Sequence, residues 1–259
     1  MTPLKKQQLT TSLSTIQQHF IDLNSYLADS RQTKNDEVVK HNIQQILANI
    51  ESLKPYEETQ QHNPQFITSV GDQCLQTIIK IANDVGKTDG VQTKREIEHI
   101  ALPLAVWLCQ HGAEIHTLKP VVNAIAQTTN KAQKTITLER LFNQVSTILQ
   151  HVNSTLLELS DNDNKKAWRV LLVNHGIIAT RAQNTAFMET AYQNLSDNSP
   201  EDAPKFFEQG MAQMLKMTYP EHVKSVVEKY FLKWREPSTL HWNLFMNKFL
   251  FDFFPALLF

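Results

Sequence analysis

Two short phrases in this chain close in the same way. Val106-Trp107-Leu108-Cys109-Gln110-His111-Gly112 and Val170-Leu171-Leu172-Val173-Asn174-His175-Gly176 both pass from an apolar run through an amide to a histidine and a glycine. Glu114 follows the first phrase and Arg181 the second. An imidazole titrates near neutrality, and a neighbouring carboxylate or guanidinium supplies the orienting or anion-holding group that acid–base work needs. An internal repeat that presented both histidines to one groove would make His111, Glu114, His175 and Arg181 a candidate pocket. Helix ends ask for the same residues, however. Histidine suits the negative end of the helix dipole, and glycine suits the left-handed residue that follows it. The second phrase runs on into Ile177-Ile178-Ala179, which can carry its helix through Gly176.

Other chemistry-bearing residues are sparser. Glu96 and His99 form one E-x-x-H pair, the spacing that faces inward to iron in four-helix di-iron proteins. Such a site needs a second E-x-x-H pair and two further glutamates on other helices; the sequence holds no second pair, so no metal is assigned. Cys109 and His111 are two apart, on different faces of a helix, and do not form a thiolate–imidazole dyad by themselves. The chain has 6 glycines. None of them builds a G-x-G-x-x-G, a G-x-x-x-x-G-K-[ST] or a G-x-S-x-G, which argues against Rossmann enzymes, P-loop NTPases and α/β-hydrolases. No catalytic residue and no cofactor is assigned.

Composition narrows the class further. Hydrophobic content of 41% and charged content of 20% are ordinary for a globular protein. A net charge of −1 disfavours a nucleic-acid partner. The best basic cluster, Lys165-Lys166-Ala167-Trp168-Arg169, reads as a solvated helix end. Cys74 and Cys109 sit in apolar helical patterns, as reduced and buried thiols do, which points to the cytoplasm. The Met1–Gln8 stretch lacks the apolar run of a secretory signal, and no segment offers eighteen uncharged apolar residues for a transmembrane helix.

The elements that must position these residues read as helices throughout. Leu9, Leu13, Ile16, Phe20, Leu23 and Leu27 are spaced 4-3-4-3-4, and Val39, Ile43, Ile46, Ile50 and Leu53 are spaced 4-3-4-3. Two heptad seams joined by a short polar loop predict an antiparallel hairpin. The second helix is expected to stop before Pro55, and Lys54–Pro64 is the most linker-like stretch. The expected organisation is a hairpin over 1–54 and a larger helical domain over 65–259, with a soft boundary that allows one continuous domain. A third helix is expected over 65–85. Thr93-Lys94-Arg95-Glu96 is a capping box for a fourth, which Pro103 must kink or split. Lys119-Pro120 opens a fifth, Leu138 begins a long sixth, and a seventh runs over 165–180. Asn184 begins an eighth, Ser199-Pro200 caps a ninth, and Pro220-Glu221 opens a tenth. The predicted fold is therefore all-α, with about ten helices: the hairpin, then a helical bundle or irregular superhelix.

The segment Trp242–Phe259 holds six of the 13 phenylalanines, with four leucines and one tryptophan. On a helix, Trp242, Phe245, Phe249 and Phe253 share a face. The segment is too short and polar to cross a bilayer, and its single lysine suits an interfacial helix poorly. These aromatics either complete the chain's own core or form an interface. The expected function is a protein–protein interaction or scaffold role, with a protein partner or self-association. The alternative is an all-helical enzyme or apolar-ligand binder with its pocket near His111 and His175.

Overall fold

The computed structural model describes residues 12–30, 34–58, 63–88, 90–152 and 162–235. The fold is all-α, with eleven helices and no strand among the described residues. They are α1 (Leu13–Ser30), α2 (Lys34–Glu58), α3 (Pro64–Thr88), α4 (Gly90–His99), α5 (Ala101–Gln110) and α6 (Lys119–Lys131), then α7 (Thr135–Gln150), α8 (Asn162–Ala182), α9 (Thr185–Asn198), α10 (Ala203–Lys216) and α11 (Glu221–Trp234). Among the described residues no helix is long and apolar enough to cross a membrane.

Two compact units divide the chain. The first holds residues up to Gln127 together with Asn143–Trp168, and the second holds Thr128–Phe142 and everything from Arg169 onward. In the first, the seam residues Leu13, Ile16 and Phe20 of α1, and Val39, Ile43, Ile46, Ile50 and Leu53 of α2, are buried. The Leu13 amide donates to Glu57 Oε1 at 2.8 Å, and Gln17 Nε2 donates to Glu51 Oε2 at 3.3 Å. These pairings bring the start of α1 to the end of α2, so the two helices run antiparallel.

Glu57 also accepts from the Trp107 indole at 3.1 Å. Its carboxylate therefore meets both the positive end of α1 and a side chain of α5. That anchor lies three residues beyond the helix end expected at Lys54. Pro55 sits inside the last turns of α2, where its missing N–H removes a single internal bond. Pro103 has the stronger effect. Its ring crowds the carbonyl four residues earlier, and the chain breaks there, between α4 and α5.

The other helix boundaries also follow local chemistry. His111 ends α5, and Gly112 follows with φ +77°, the left-handed value that glycine takes without strain. The Ala113 amide reaches Leu108 O at 3.0 Å and the Gly112 amide reaches Cys109 O at 3.1 Å, the paired bonds of a Schellman end. Asn184 caps α9 by accepting from the Phe187 amide at 3.2 Å. Two expected starts move. α4 begins at Gly90, which places the Thr93–Glu96 capping box inside the helix. α10 begins at Ala203, after a turn in which the Asp202 and Ala203 amides donate to Ser199 O at 3.0 and 3.2 Å; Arg169 grips both carboxylate oxygens of Asp202 at 2.6 Å, and Ser199 Oγ donates to it at 2.6 Å.

Candidate functional site

The first unit carries an open groove of about 690 Å³. One face of α3, bearing Pro64, Gln65, Thr68, Ser69, Asp72, Gln73 and Gln76, forms its floor. These positions recur at helical spacing because the other face of α3 is spent on the core through Ile67, Val70, Cys74, Ile78, Ile81 and Val85. The non-helical segment 112–118 forms the opposite wall with Gly112, Glu114 and His116.

Four of the groove's polar side chains, those of Thr68, Asp72, Glu114 and His116, are already engaged. Thr68 Oγ1 accepts from the Glu114 amide at 2.9 Å, and Asp72 Oδ1 accepts from the Thr117 amide at 3.0 Å. His116 Nδ1 lies 3.1 Å from Asp72 Oδ2, and its Nε2 lies 3.0 Å from Glu114 Oε2. From the far side, Asn164 accepts from the Leu118 amide at 3.2 Å and donates to His116 O at 2.7 Å. A segment without helical hydrogen bonds must find partners for its backbone, and these side chains supply them. Asp72 also stands at the positive end of α6, although burial pushes its carboxyl up from the ordinary aspartate range.

The second unit carries a cleft of a different kind. Val173 and Ile177 on α8, Tyr192 on α9, Phe206, Phe207 and Met214 on α10, Tyr219, and Val227 on α11 wall a space of about 80 Å³. Thr180, Arg181, Gln209 and Gln213 supply its polar positions. The rings behind the cleft interlock. Tyr192 meets Phe207 edge-on with centroids 5.1 Å apart, and Phe207 stacks on Tyr230 at 5.2 Å. Thr180 Oγ1 donates to Gly176 O at 2.8 Å, so the Tyr192 hydroxyl, 2.6 Å away, is the donor to Thr180. Gly176 is required by close approach, since a Cβ there would meet the Phe206 ring at 2.6 Å.

The four residues of the sequence-derived pocket divide between the units. His111 and Glu114 belong to the first, His175 and Arg181 to the second. His111 turns onto the ring of Trp107, with centroids 3.9 Å apart, and its Nδ1 donates to Trp107 O at 2.8 Å. Glu114 lines the polar groove, where its partner is His116. His175 is 1% exposed and stacks on Phe142, which in turn stacks on Phe187. Burial pushes the His175 imidazole down to about 4, so it is neutral at pH 7. Arg181 donates to the carbonyls of Thr129 and Ala132 at the end of α6, and it also lines the apolar cleft. The expected interface residues Trp242, Phe245, Phe249 and Phe253 lie outside the described residues.

Sequence reasoning missed Asp72, His116 and Tyr219. His116 follows Glu114 by two positions, and Asp72 shares a helical face with Thr68 and Ser69, but only the fold brings those faces together. The two thiols, Cys74 and Cys109, are buried and pushed up to about 12, which keeps them protonated and unreactive. No protein-family model, no curated protein and no solved structure matches this chain.

Proposed function

We propose that this chain is a protein–protein interaction module of the cytoplasm. Its docking site is the cleft among α8, α9, α10 and α11, and its partner is an apolar segment of another protein or of a second copy. The observation that carries this reading is the make-up of the cleft: aromatic and methionine walls at the centre, and Gln209, Gln213 and Arg181 among the polar positions. Anchor pockets in protein interfaces have this arrangement, with a desolvated apolar centre and a polar rim that fixes orientation. Methionine and phenylalanine walls adapt to helical segments that bring anchors at i, i+3 or i+4, and i+7. The volume of about 80 Å³ suits side-chain ends, whereas small-molecule and cofactor pockets run to roughly 300–1,000 Å³.

Exposed apolar side chains on the same helix support the reading. Leu215 is 81% exposed and Met217, just past the end of α10, is 51% exposed. Both can extend a partner's contact beyond the cleft. The buried, free thiols fit a reducing compartment.

Peptide display tests the reading. A library of roughly 16-residue peptides, panned on the full chain, should enrich aromatic or leucine anchors at helical spacing. The selected peptide should bind at least about tenfold more weakly to Gln213→Trp or Gln209→Trp, variants that fill the cleft from its half-buried rim. A peptide that binds those variants unchanged places the interaction elsewhere, and the reading fails.

A further inference from the structure

We infer that the cleft's occupant is a helical segment of another protein that bears an acidic side chain one turn beyond its last apolar anchor, and that Arg181 and Tyr219 hold this carboxylate. The inference rests on the docking reading given above. Its first support is a change of character along the cleft. The α8 wall is Val173, Ile177, Thr180 and Arg181, residues that share one face of that helix. Eight steps of helix separate Val173 from Arg181, about 12 Å. Toward the Val173 end, the ring of Phe206 presses on Gly176. Toward the other end stands Tyr219, beyond the close of α10 at Lys216. Burial raises the Tyr219 phenol, and the Arg181 charge beside it offsets part of that rise. One end is therefore aromatic and aliphatic, and the other presents a cation and a hydroxyl.

The second support is the state of the cation. Arg181 donates to the carbonyls of Thr129 and Ala132, at the negative end of α6. A helix end offsets only part of a full charge. No carboxylate among the described residues meets this guanidinium. Arg169, on the same helix, gives the contrast. The hydrogen bonds from Asp202 raise Arg169 above the ordinary arginine range, whereas burial lowers Arg181 below it. An apolar segment lying over Arg181 would strip water from the cation and supply nothing in return, at a cost in affinity.

The donors needed for an acid are in place. The guanidinium has N–H groups beyond those spent on the two carbonyls. The Tyr219 hydroxyl and the Gln213 amide line the same cleft and have no hydrogen-bond partner among the described residues. A carboxylate accepts on both oxygens, so it satisfies the arginine and the phenol together. Arg181 lies one helical turn past Ile177, which sets the acid three or four positions beyond an anchor seated against Ile177.

Peptides selected on the full chain from the display library test this. They should carry Asp or Glu three or four positions beyond the last aromatic or leucine anchor. Replacing that acid by its amide should weaken binding to the parent chain about tenfold. Against Arg181→Gln, which keeps an amide for the α6 carbonyls, the same replacement should cost less than about twofold. Against Arg181→Lys, which keeps the charge and loses the planar fork, it should cost about threefold. The lysine variant carries the test if the glutamine variant does not fold. Selected peptides without the acid, an amide replacement that changes nothing, or a penalty that stays about tenfold in the Arg181 variants would overturn the proposal. If Gln213→Trp still weakens such peptides, the acid is wrong and the docking site stands. If Gln213→Trp leaves them unchanged, the docking site itself is wrong. A parent chain that dimerises on its own, and that Gln213→Trp and Arg181→Gln each return to a monomer, would make the occupant a second copy and overturn the separate partner.

Discussion

The groove of the first unit is large and polar, and the cleft of the second is small and apolar. Size alone would favour the groove. What its lining groups already hold reverses that order. Thr68, Asp72 and His116 are taken up in fastening the segment 112–118 to α3 and to the start of α6. The cleft's half-buried apolar walls, Val173, Ile177, Phe206 and Tyr219, carry no such duty toward a loop, and their remaining apolar surface is what a partner's side chains can cover. A cavity is a better functional candidate when its lining residues keep something to offer after the fold has used them.

The contrast predicts that packing governs the second unit and that polar ties govern the groove. The largest test is Phe207→Ala. Phe207 is fully buried and touches the rings of Tyr192, Phe206 and Tyr230. Its truncation should cost about 3–5 kcal/mol in urea unfolding, with little dependence on salt. A loss under about 1 kcal/mol would mean the ring cluster collapses freely and does not frame a cleft.

The next effect is a pH profile. The His175 imidazole is lowered from its ordinary 6.5 to about 4 by burial. The unfolded chain therefore takes up a proton before the folded one does as the pH falls. The native state keeps its full stability above about pH 6.5, loses about 3 kcal/mol between there and about pH 4, and has no further loss from this group below. His175→Phe should flatten that slope. Asp72 works in the opposite sense. Its carboxyl is raised in the folded state, so its contribution falls as the pH rises through the carboxylate range. A profile that His175→Phe leaves unchanged would show that His175 is not held neutral in the interior.

The two histidines also show how much the sequence could reveal. The phrases ending at Gly112 and Gly176 are nearly alike, yet one is a Schellman end and the other lies within α8, which continues to Ala182. Gly112 was legible because a helix end and its left-handed residue are local events. That the helix can run through Gly176 was legible from Ile177-Ile178-Ala179, but the reason for glycine there was not, because it is the ring of Phe206 pressed against it from thirty positions away. The seams of α1 and α2 were legible from their spacing. The pairing of His116 with Asp72 depends on which face of α3 meets a distant loop, a tertiary fact that no local pattern encodes. The clamp of Arg169 on Asp202, thirty-three positions away, is likewise a tertiary contact that no local pattern encodes.

Within the groove, Asp72→Ala tests whether the polar ties are structural. It removes the acceptor for the Thr117 amide and the charge at the start of α6. The expected loss is about 1–2 kcal/mol, seen as faster amide exchange over 113–122 with α3 itself protected. If those amides keep their protection, the groove's polar groups are not needed to hold the loop, and they become candidates for ligand contact.

Glu114→Gln should have the smallest effect and separates the two units most cleanly. Its carboxylate meets His116 Nε2 with both side chains substantially exposed, 46% and 36%. Exposed pairs of this kind contribute about 0.2–0.5 kcal/mol, and water screens much of their attraction. Glutamine keeps an oxygen that can accept from the same imidazole, so only the charge is lost. The difference between parent and variant should therefore vanish in about 1 M salt, where the screening length falls to roughly 3 Å. A Phe207→Ala difference measured beside it should persist, because apolar burial does not depend on charge screening. If the Glu114 difference survives high salt, the carboxylate acts through a well-ordered, desolvated contact, and the groove has a stronger claim to function than its engaged side chains suggest.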